Sequence, residues 1–384
     1  MGFEQNTSPT SVAAEPLWRQ YREEFPVTQN LIYLNHAAVA PLPRRSAQAM
    51  QEWAADALQF GSLHYDRWLD TYEGLRVACA RLIGANRSEI ALVKNTSEGI
   101  SMVARGLDWH PGDRIVAFRE EFPSNYYPWL RLEAERCYVE WLSYDDPLEK
   151  IEMACTGAKL LSISFVQYLS GFRADLKAIG EICRRCGCFF FVDAIQGLGA
   201  FPLDVEAAHI DALAADGHKW LLGPEGCGIL YVRKSRQDSI FPQEFGWTTV
   251  AGYNDYASRD MALRQDAGRY ECGTLNTIGC HGLKASIELL LEAGVERIAP
   301  VIEGLADQLA AGAMKKGYQI LGDRTPANGA GIVALQKPGI DSRKVVHDLK
   351  QRGIIAAPRQ GWVRFSPHFY ISPEEIERVI KALP

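Results

Sequence analysis

Lys219, in the segment Asp216-Gly217-His218-Lys219-Trp220, follows Asp193 by 26 positions, and Asp193 ends the apolar run Phe189-Phe190-Phe191-Val192. An amine and a carboxylate shown from the ends of two nearby strands can work together. The amine can condense with a carbonyl to an imine; the carboxylate can keep a proton on a heterocyclic nitrogen, so that the ring accepts electrons. Taken alone, a lysine between strand and loop is ordinarily a solvated charge, and an aspartate after a strand is ordinarily a helix cap. Here Ile210-Asp211-Ala212-Leu213-Ala214-Ala215 precedes the lysine and Gly223-Pro224-Glu225-Gly226 follows it. That is a buried strand opening into a constrained turn.

A third part stands earlier in the chain. Lys94-Asn95-Thr96-Ser97-Glu98-Gly99 joins a strand-like run to an amphipathic pattern, so backbone N–H groups and the Thr96 and Ser97 hydroxyls would converge on an anion at the positive end of a helix. The plainer reading is a helix cap, with Asn95 as N-cap and Glu98 closing a capping box. An imine-forming amine, a carboxylate for a ring nitrogen and a phosphate seat are together what pyridoxal phosphate (PLP) requires. Lys219 is then expected to hold PLP as an imine and to move the proton at the substrate Cα. Asp193 would pair with the ring nitrogen at the strand edge where open α/β sheets bind ligands. Gln196 could reach the ring hydroxyl.

The elements that must position these residues follow from periodicity. From about Glu89 to Ser235, strand-like runs alternate with helical patterns: strands at Ile90–Val93, Asp113–Ala117, Lys159–Ser164, Phe189–Val192 and Gly228–Val232, helices at Ser97–Gly106 and Leu176–Cys186. Such alternation predicts a mostly parallel sheet with helices on both faces. Beyond Glu292 a helix over Val295–Lys316, short strands near Tyr318, Gly331 and Val363, and helices at Ser342–Arg352 and from Pro373 predict a separate α+β lobe. The expected layout is a large domain over 31–290, and a small domain made of 1–30 and 291–384.

Taken together, Asn95-Thr96-Ser97-Glu98-Gly99, Glu121-Phe122-Pro123-Ser124-Asn125 with Pro128-Trp129, Val192-Asp193-Ala194-Ile195-Gln196, Gly217-His218-Lys219 and Glu271-Cys272-Gly273-Thr274-Leu275-Asn276 resemble the class V aminotransferase family. This is the fold-type I PLP group that includes cysteine desulfurases and isopenicillin N epimerase-like enzymes. The resemblance runs from about Tyr33 to the end of the chain. It implies Lys219 as the Schiff-base lysine, Asp193 and Gln196 on the ring, and Thr96, Ser97 and His218 on the phosphate. Asp216 stands where desulfurases usually have a phosphate-contacting serine, and an aspartate repels phosphate. Phe122 replaces the histidine that desulfurases stack on the ring; it can stack but cannot move protons. Thr274 is expected to reach the phosphate of a neighbouring subunit, which implies a homodimer with shared active sites. Arg364 matches the arginine that pairs with the substrate α-carboxylate. His36, Tyr168 and Trp247 are expected at the substrate mouth.

One departure bears on the reaction. Desulfurases carry a nucleophilic cysteine on a loop shortly before the carboxylate arginine, whereas Ile354 to Trp362 runs almost directly to Arg364 without one. The reading is therefore a PLP enzyme acting on a small-molecule α-amino acid through a Cα carbanion. Transamination ranks first, β-elimination of a carbon–sulfur bond or desulfurase-like chemistry second, and epimerisation third.

Composition narrows the rest. With 384 residues, 47% hydrophobic and 23% charged, the chain can form a large and a small domain, and a net charge of −6 without a basic run speaks against a nucleic-acid surface. A PLP-fold effector domain of a transcription regulator would need a fused DNA-binding segment, which the first 30 residues are too short and too little basic to form. A nicotinamide enzyme would need G-x-G-x-x-G, and Gly197-Leu198-Gly199 lacks the third glycine. Neither a secretory signal nor a membrane-length apolar run is present, Asn6 replaces the Ser or Thr of a myristoylation signal, and nine scattered cysteines suit a reducing compartment, so a cytoplasmic location is expected. Cys183-x-x-Cys186-x-Cys188 reads as a helix end followed by a strand, with no fourth ligand at zinc spacing and no metal expected.

Overall fold

The computed structural model describes residues 15–384; the stretch read above for targeting signals lies outside them. Seven strands form the main sheet: β1 (Ile90–Val93), β2 (Arg114–Phe118), β3 (Tyr138–Leu142), β4 (Leu160–Ser164), β5 (Phe189–Asp193), β6 (Ala212–Asp216) and β7 (Gly228–Val232). Their order across the sheet is β1-β7-β6-β5-β4-β2-β3. Every strand but β7 points the same way; β7 runs antiparallel to both its neighbours. β4 to β7 are buried at every residue, as expected of strands covered on both faces. Register brings Ser164, Asp193 and Ala214 level at one edge, so β4, β5 and β6 end side by side.

Helix α1 (Thr96–Gly106) follows β1 and lies so close to β6 that a Cβ at Gly99 would stand 2.7 Å from the Ala214 Cβ. The small side chains let the helix start pack against the strand. Helix α2 (Leu176–Cys186) ends at Gly187, whose φ of 67° is the left-handed cap that glycine tolerates, and β5 follows at once. This is the helix end and strand expected of the cysteine-rich segment.

The C-terminal lobe carries a four-stranded antiparallel sheet in the order Ala357–Arg359, Trp362–Phe365, Val333–Gln336, Gln319–Ile320. The expected strand at Gly331 begins only at Val333, and the helix from Ser342 stops at Lys350. Residues 15–33 pack against this lobe. Ile32–Tyr33 pairs in parallel with Ile354–Ile355, Arg22 bridges Glu375 at 2.7 Å, and Phe25, fully buried, stacks on Tyr370 with ring centroids 3.7 Å apart. Phe25→Ala is expected to lower stability by about 3–5 kcal/mol, the range for removing a buried phenyl ring. A fall in the denaturant midpoint at unchanged slope would measure it.

Candidate active site

Loops leaving the C-terminal ends of the parallel strands, with one hairpin of the smaller lobe, close around a cavity of about 540 Å³. β1 delivers Thr96 and Ser97, β5 delivers Asp193 and Gln196, and β6 delivers Asp216, His218 and Lys219. The loops after β2 and β4 supply Phe122 and Tyr168, and the hairpin supplies Arg364. Of the residues expected from sequence, His36, Trp247 and Thr274 do not line it.

Asp193 is buried and Lys219 half-buried, and loss of solvent acts on them in opposite directions. It pushes the Lys219 ammonium down to about 8, against the pull of Asp193, while Arg364 lowers it further. It pushes the Asp193 carboxyl up to about 6, against the Ile195 amide, which donates at 3.1 Å, and the field of Lys219. The Lys219 Nζ stands 5.6 Å from the centroid of the Phe122 ring, and that ring meets Tyr168 edge-on at 5.3 Å. Two groups whose charges are this easily withdrawn, facing one cavity, are the mark of a site that moves protons.

At the other end, Asn95 caps α1 by accepting from the Glu98 amide at 2.9 Å. The Glu98 carboxylate takes the amide of Lys94, not that of Asn95, so the expected reciprocal box is displaced by one residue. The cap leaves the neighbouring hydroxyls free to face the cavity. Thr96 Oγ1 accepts from the Asp216 amide at 3.0 Å and keeps its own proton available; Ser97 Oγ donates to Ser124 Oγ at 2.8 Å. Asp216 turns its carboxylate to His218, with Oδ2 3.0 Å from Nδ1 but off hydrogen-bond alignment, which leaves Nδ1 and Asp216 Oδ1 buried without a partner. The aspartate thus faces the imidazole, and this accounts for an acid beside the expected anion seat.

Arg364 is buried on β-hairpin strand Trp362–Phe365, donates to the Tyr168 carbonyl at 2.7 Å, and has a buried Nε without a partner. Burial, reinforced by Arg359, pushes its guanidinium down to about 10. The hairpin turns in two residues, Gln360 (φ 47°) and Gly361 (φ 86°), the positive-φ pair of a tight type I′ turn. Gln360 then reaches Tyr168 Oη at 2.7 Å. The turn leaves no room for an inserted loop, and no cysteine lines the cavity.

The model of the family described as "Aminotransferase class-V" matches residues 32–379. The chain belongs to the aminotransferase class-V family. It is 30% identical to the "uncharacterized aminotransferase YcbU" of Bacillus subtilis over 95% of this chain and 97% of that one. It is 31% identical to a "probable cysteine desulfurase" of Pyrococcus abyssi over 94% and 96%. Among solved structures, the cysteine desulfurase of Thermococcus onnurineus in its apo form superposes with a TM-score of 0.89 at 29% identity, covering 96% of this chain and 98% of that one. The cystine C-S lyase C-DES, at 23% identity and a TM-score of 0.87 over 93% and 98%, shares the fold. The fold is that of the fold-type I PLP enzymes, and this class-V chain is a PLP-dependent enzyme.

The residues present fit that cofactor. A buried carboxylate with one amide donor, an amine held partly neutral, a free hydroxyl proton on Thr96 at a helix start and an unpartnered imidazole nitrogen are the complementary groups for a pyridine nitrogen, an aldehyde and a phosphate. Gln196 is more constrained than expected. Its Oε1 accepts from the Trp220 indole at 2.8 Å and its Nε2 donates to the Ala37 carbonyl at 3.0 Å, leaving one N–H for the ring hydroxyl.

His36 is a correction. It is fully buried behind the cavity wall, where Nδ1–H donates to the Ser366 carbonyl at 2.7 Å and Nε2 accepts from the Tyr370 hydroxyl at 2.6 Å. Burial pushes it down to about 4, so it stays neutral. Asn35 bridges to Ser366, which turns His36 inward and leaves Ala37, Ala38 and Val39 to line the cavity. Trp247 also stands elsewhere, packed on Tyr253 and Tyr256 beside Gly273. Thr274 lines a separate hollow of about 330 Å³ with Lys94, Glu98 and Cys272.

Two features went unread in the sequence. Arg359 lines the same cavity as Arg364. Glu121, buried beside Asp193, accepts from the Ser164 amide at 2.6 Å, the Tyr144 hydroxyl at 2.7 Å and the Ser164 hydroxyl; burial pushes it up to about 7. Its place in Glu121-Phe122-Pro123, after an apolar strand, was the available signal.

Proposed function

We propose that this chain transfers the amino group of a small α-amino acid, with Lys219 moving the proton at Cα. One observation carries the reading: a half-buried lysine pushed down to about 8 shares a cavity with a buried carboxylate and an incompletely partnered guanidinium, and with no thiol. When bound, PLP supplies an electron-accepting ring for the pair left behind as Cα loses its proton.

The roles of the chain's own groups follow. Thr96, Ser97 and His218 bind the phosphate, and Asp216 orients the His218 imidazole. Asp193 holds a proton on the ring nitrogen, Gln196 donates to the ring hydroxyl, and Phe122 covers a ring face and helps exclude water. Lys219 would hold the cofactor through its amine and, as the base nearest Cα, would take and return the Cα proton. Arg364, whose buried Nε–H has no partner within the chain, donates to the substrate carboxylate. Tyr168 fixes both arginine and hairpin, through its carbonyl and its hydroxyl. The cavity borders a larger space of about 880 Å³ that shares Pro123, Tyr168 and Gln360, room for a substrate side chain.

A second reading, elimination of a sulfur-bearing β-substituent, is supported by the cystine lyase and desulfurase names among the similar proteins. A protein-bound persulfide is not, because the candidate thiols lie away from the cavity: Cys272 stands in the Thr274 hollow, and Cys280 is buried against Cys227 at 3.7 Å. A homodimer in which Thr274 and Trp247 serve the neighbouring site would account for their distance from the cavity here. Among the described residues no helix is long and apolar enough to cross a membrane, and the nine cysteines are free. That supports a cytoplasmic enzyme.

The test is product analysis by mass with a panel of amino acids and a 2-oxo acid acceptor. Amino transfer to the acceptor supports the first reading. Pyruvate and sulfide from cysteine, without transfer to any acceptor, replaces it with the second. In either case alkylation after incubation with cysteine is expected to trap no protein persulfide. A stoichiometric persulfide at Cys272 or Cys280, lost together with activity on Cys→Ala substitution, would restore desulfurase chemistry.

A further inference from the structure

Three thiols meet at the sheet edge opposite the active site, where helices end and strands begin. The Sγ atoms of Cys155, Cys183 and Cys188 all lie within 4.8 Å of one another, and all three residues are buried. Sequence spacing had grouped Cys183 with Cys186 and Cys188; the structure exchanges Cys186 for Cys155, which lies 28 positions before Cys183.

The arrangement has a backbone cause. At the end of α2 the Gly187 amide donates to the Arg184 carbonyl and the Cys188 amide to the Cys183 carbonyl, at 3.4 and 2.9 Å. This is a Schellman closure, which sets the residue after the cap against the one a turn earlier, here Cys188 against Cys183. Helix Leu148–Cys155 packs on α2 and ends beside it, adding its last residue.

The chemistry of the corner selects its ligand. Three sulfurs with no nitrogen or oxygen donor among them favour a soft cation. Structural zinc takes four ligands, and Cys186, the remaining thiol of the corner, points its sulfur to Thr156 Oγ1 and the Glu152 carbonyl, each at 3.9 Å. The trio is therefore a three-coordinate set. Two helix C-termini, whose carbonyl ends attract positive charge, converge on it. Arg114 donates to the Thr156 and Ala154 carbonyls, on either side of Cys155, and fixes the end of that helix.

We propose that Cys155, Cys183 and Cys188 form a three-sulfur site for copper(I), remote from the reaction centre. Each thiol that ligates forms one S–Cu bond and releases its proton to solvent. Copper stays in the +1 state throughout, so binding needs neither oxidant nor reductant.

The test is anaerobic titration of the PLP-loaded protein with copper(I) against bathocuproine disulfonate, ascorbate keeping the metal reduced. One tightly held equivalent is expected, with three sulfur neighbours in its X-ray absorption spectrum. Cys183→Ala should weaken binding by more than about 100-fold, beyond the loss typical of a group behind the ligands, while Cys186→Ala and Cys272→Ala leave it unchanged. Equal competition by wild type and Cys183→Ala, or a spectrum with two sulfurs, overturns the assignment. Should Cys183→Ala not fold, the wild-type spectrum and Cys155→Ser decide. Turnover enters none of these readouts, so the result stands apart from the reaction proposed above.

Discussion

Lys219→Ala is expected to abolish turnover and the borohydride-reducible link to PLP while leaving the fold intact. The loss should be at least about 10⁴-fold, the upper end of what one acid–base group contributes, because the covalent anchor and the Cα proton carrier vanish together. The fold should survive because the substitution shortens a side chain that faces a cavity and leaves the hydrophobic core untouched. Borohydride reduction and peptide mapping of the wild type give the direct check: a phosphopyridoxyl label on any other lysine would refute the assignment. A pH dependence accompanies it. The neutral amine is the nucleophile toward the PLP aldehyde, and burial sets this ammonium at about 8, so PLP capture by the apoprotein should accelerate as pH rises through that value. Capture rates rising only toward the ordinary lysine range, near 10.5, would show the lysine to be solvated.

The site was legible in sequence to the extent that its residues sit next to strand ends. Thr96, Asp193, Asp216 and Lys219 each end or closely follow a short apolar run, and the backbone alone carries them to one edge once the runs form a parallel sheet. Direction within a loop was not legible. His36 is expected at the substrate mouth, yet its place is set by Ser366 and Tyr370, some 330 positions away. Cys155 escaped for the same reason, since only the packing of two helices shows it to Cys183. Phe122 and Asp216, departures from the family pattern, became intelligible through their neighbours. The phenyl ring lies between Lys219 and Tyr168, and the aspartate faces His218. Thr274 illustrates the opposite limit: one chain places it in a hollow of its own, apart from the cavity, and only the proposed homodimer would bring it to a cofactor.

Asp193→Asn should keep PLP bound but lose most activity, by roughly 10²–10³ in kcat, or about 3–4 kcal/mol of transition-state stabilisation, as when a preorganised charge at a reacting centre is removed. The amide is nearly isosteric and can still accept from the Ile195 amide, so the strand end should not move. What it cannot do is hold a proton on the ring nitrogen by charge. In the free chain burial keeps this carboxyl near 6, and a cationic ring nitrogen at hand would favour its ionised form. The pair therefore stabilises itself inside a site that penalises either charge alone. Loss in kcat with little change in PLP affinity is the expected signature, measured by turnover and by cofactor titration in parallel. A variant turning over at the wild-type rate would mean that the ring accepts electrons without this carboxylate. The roles of Lys219 and Arg364 would then have to be separated from that of Asp193.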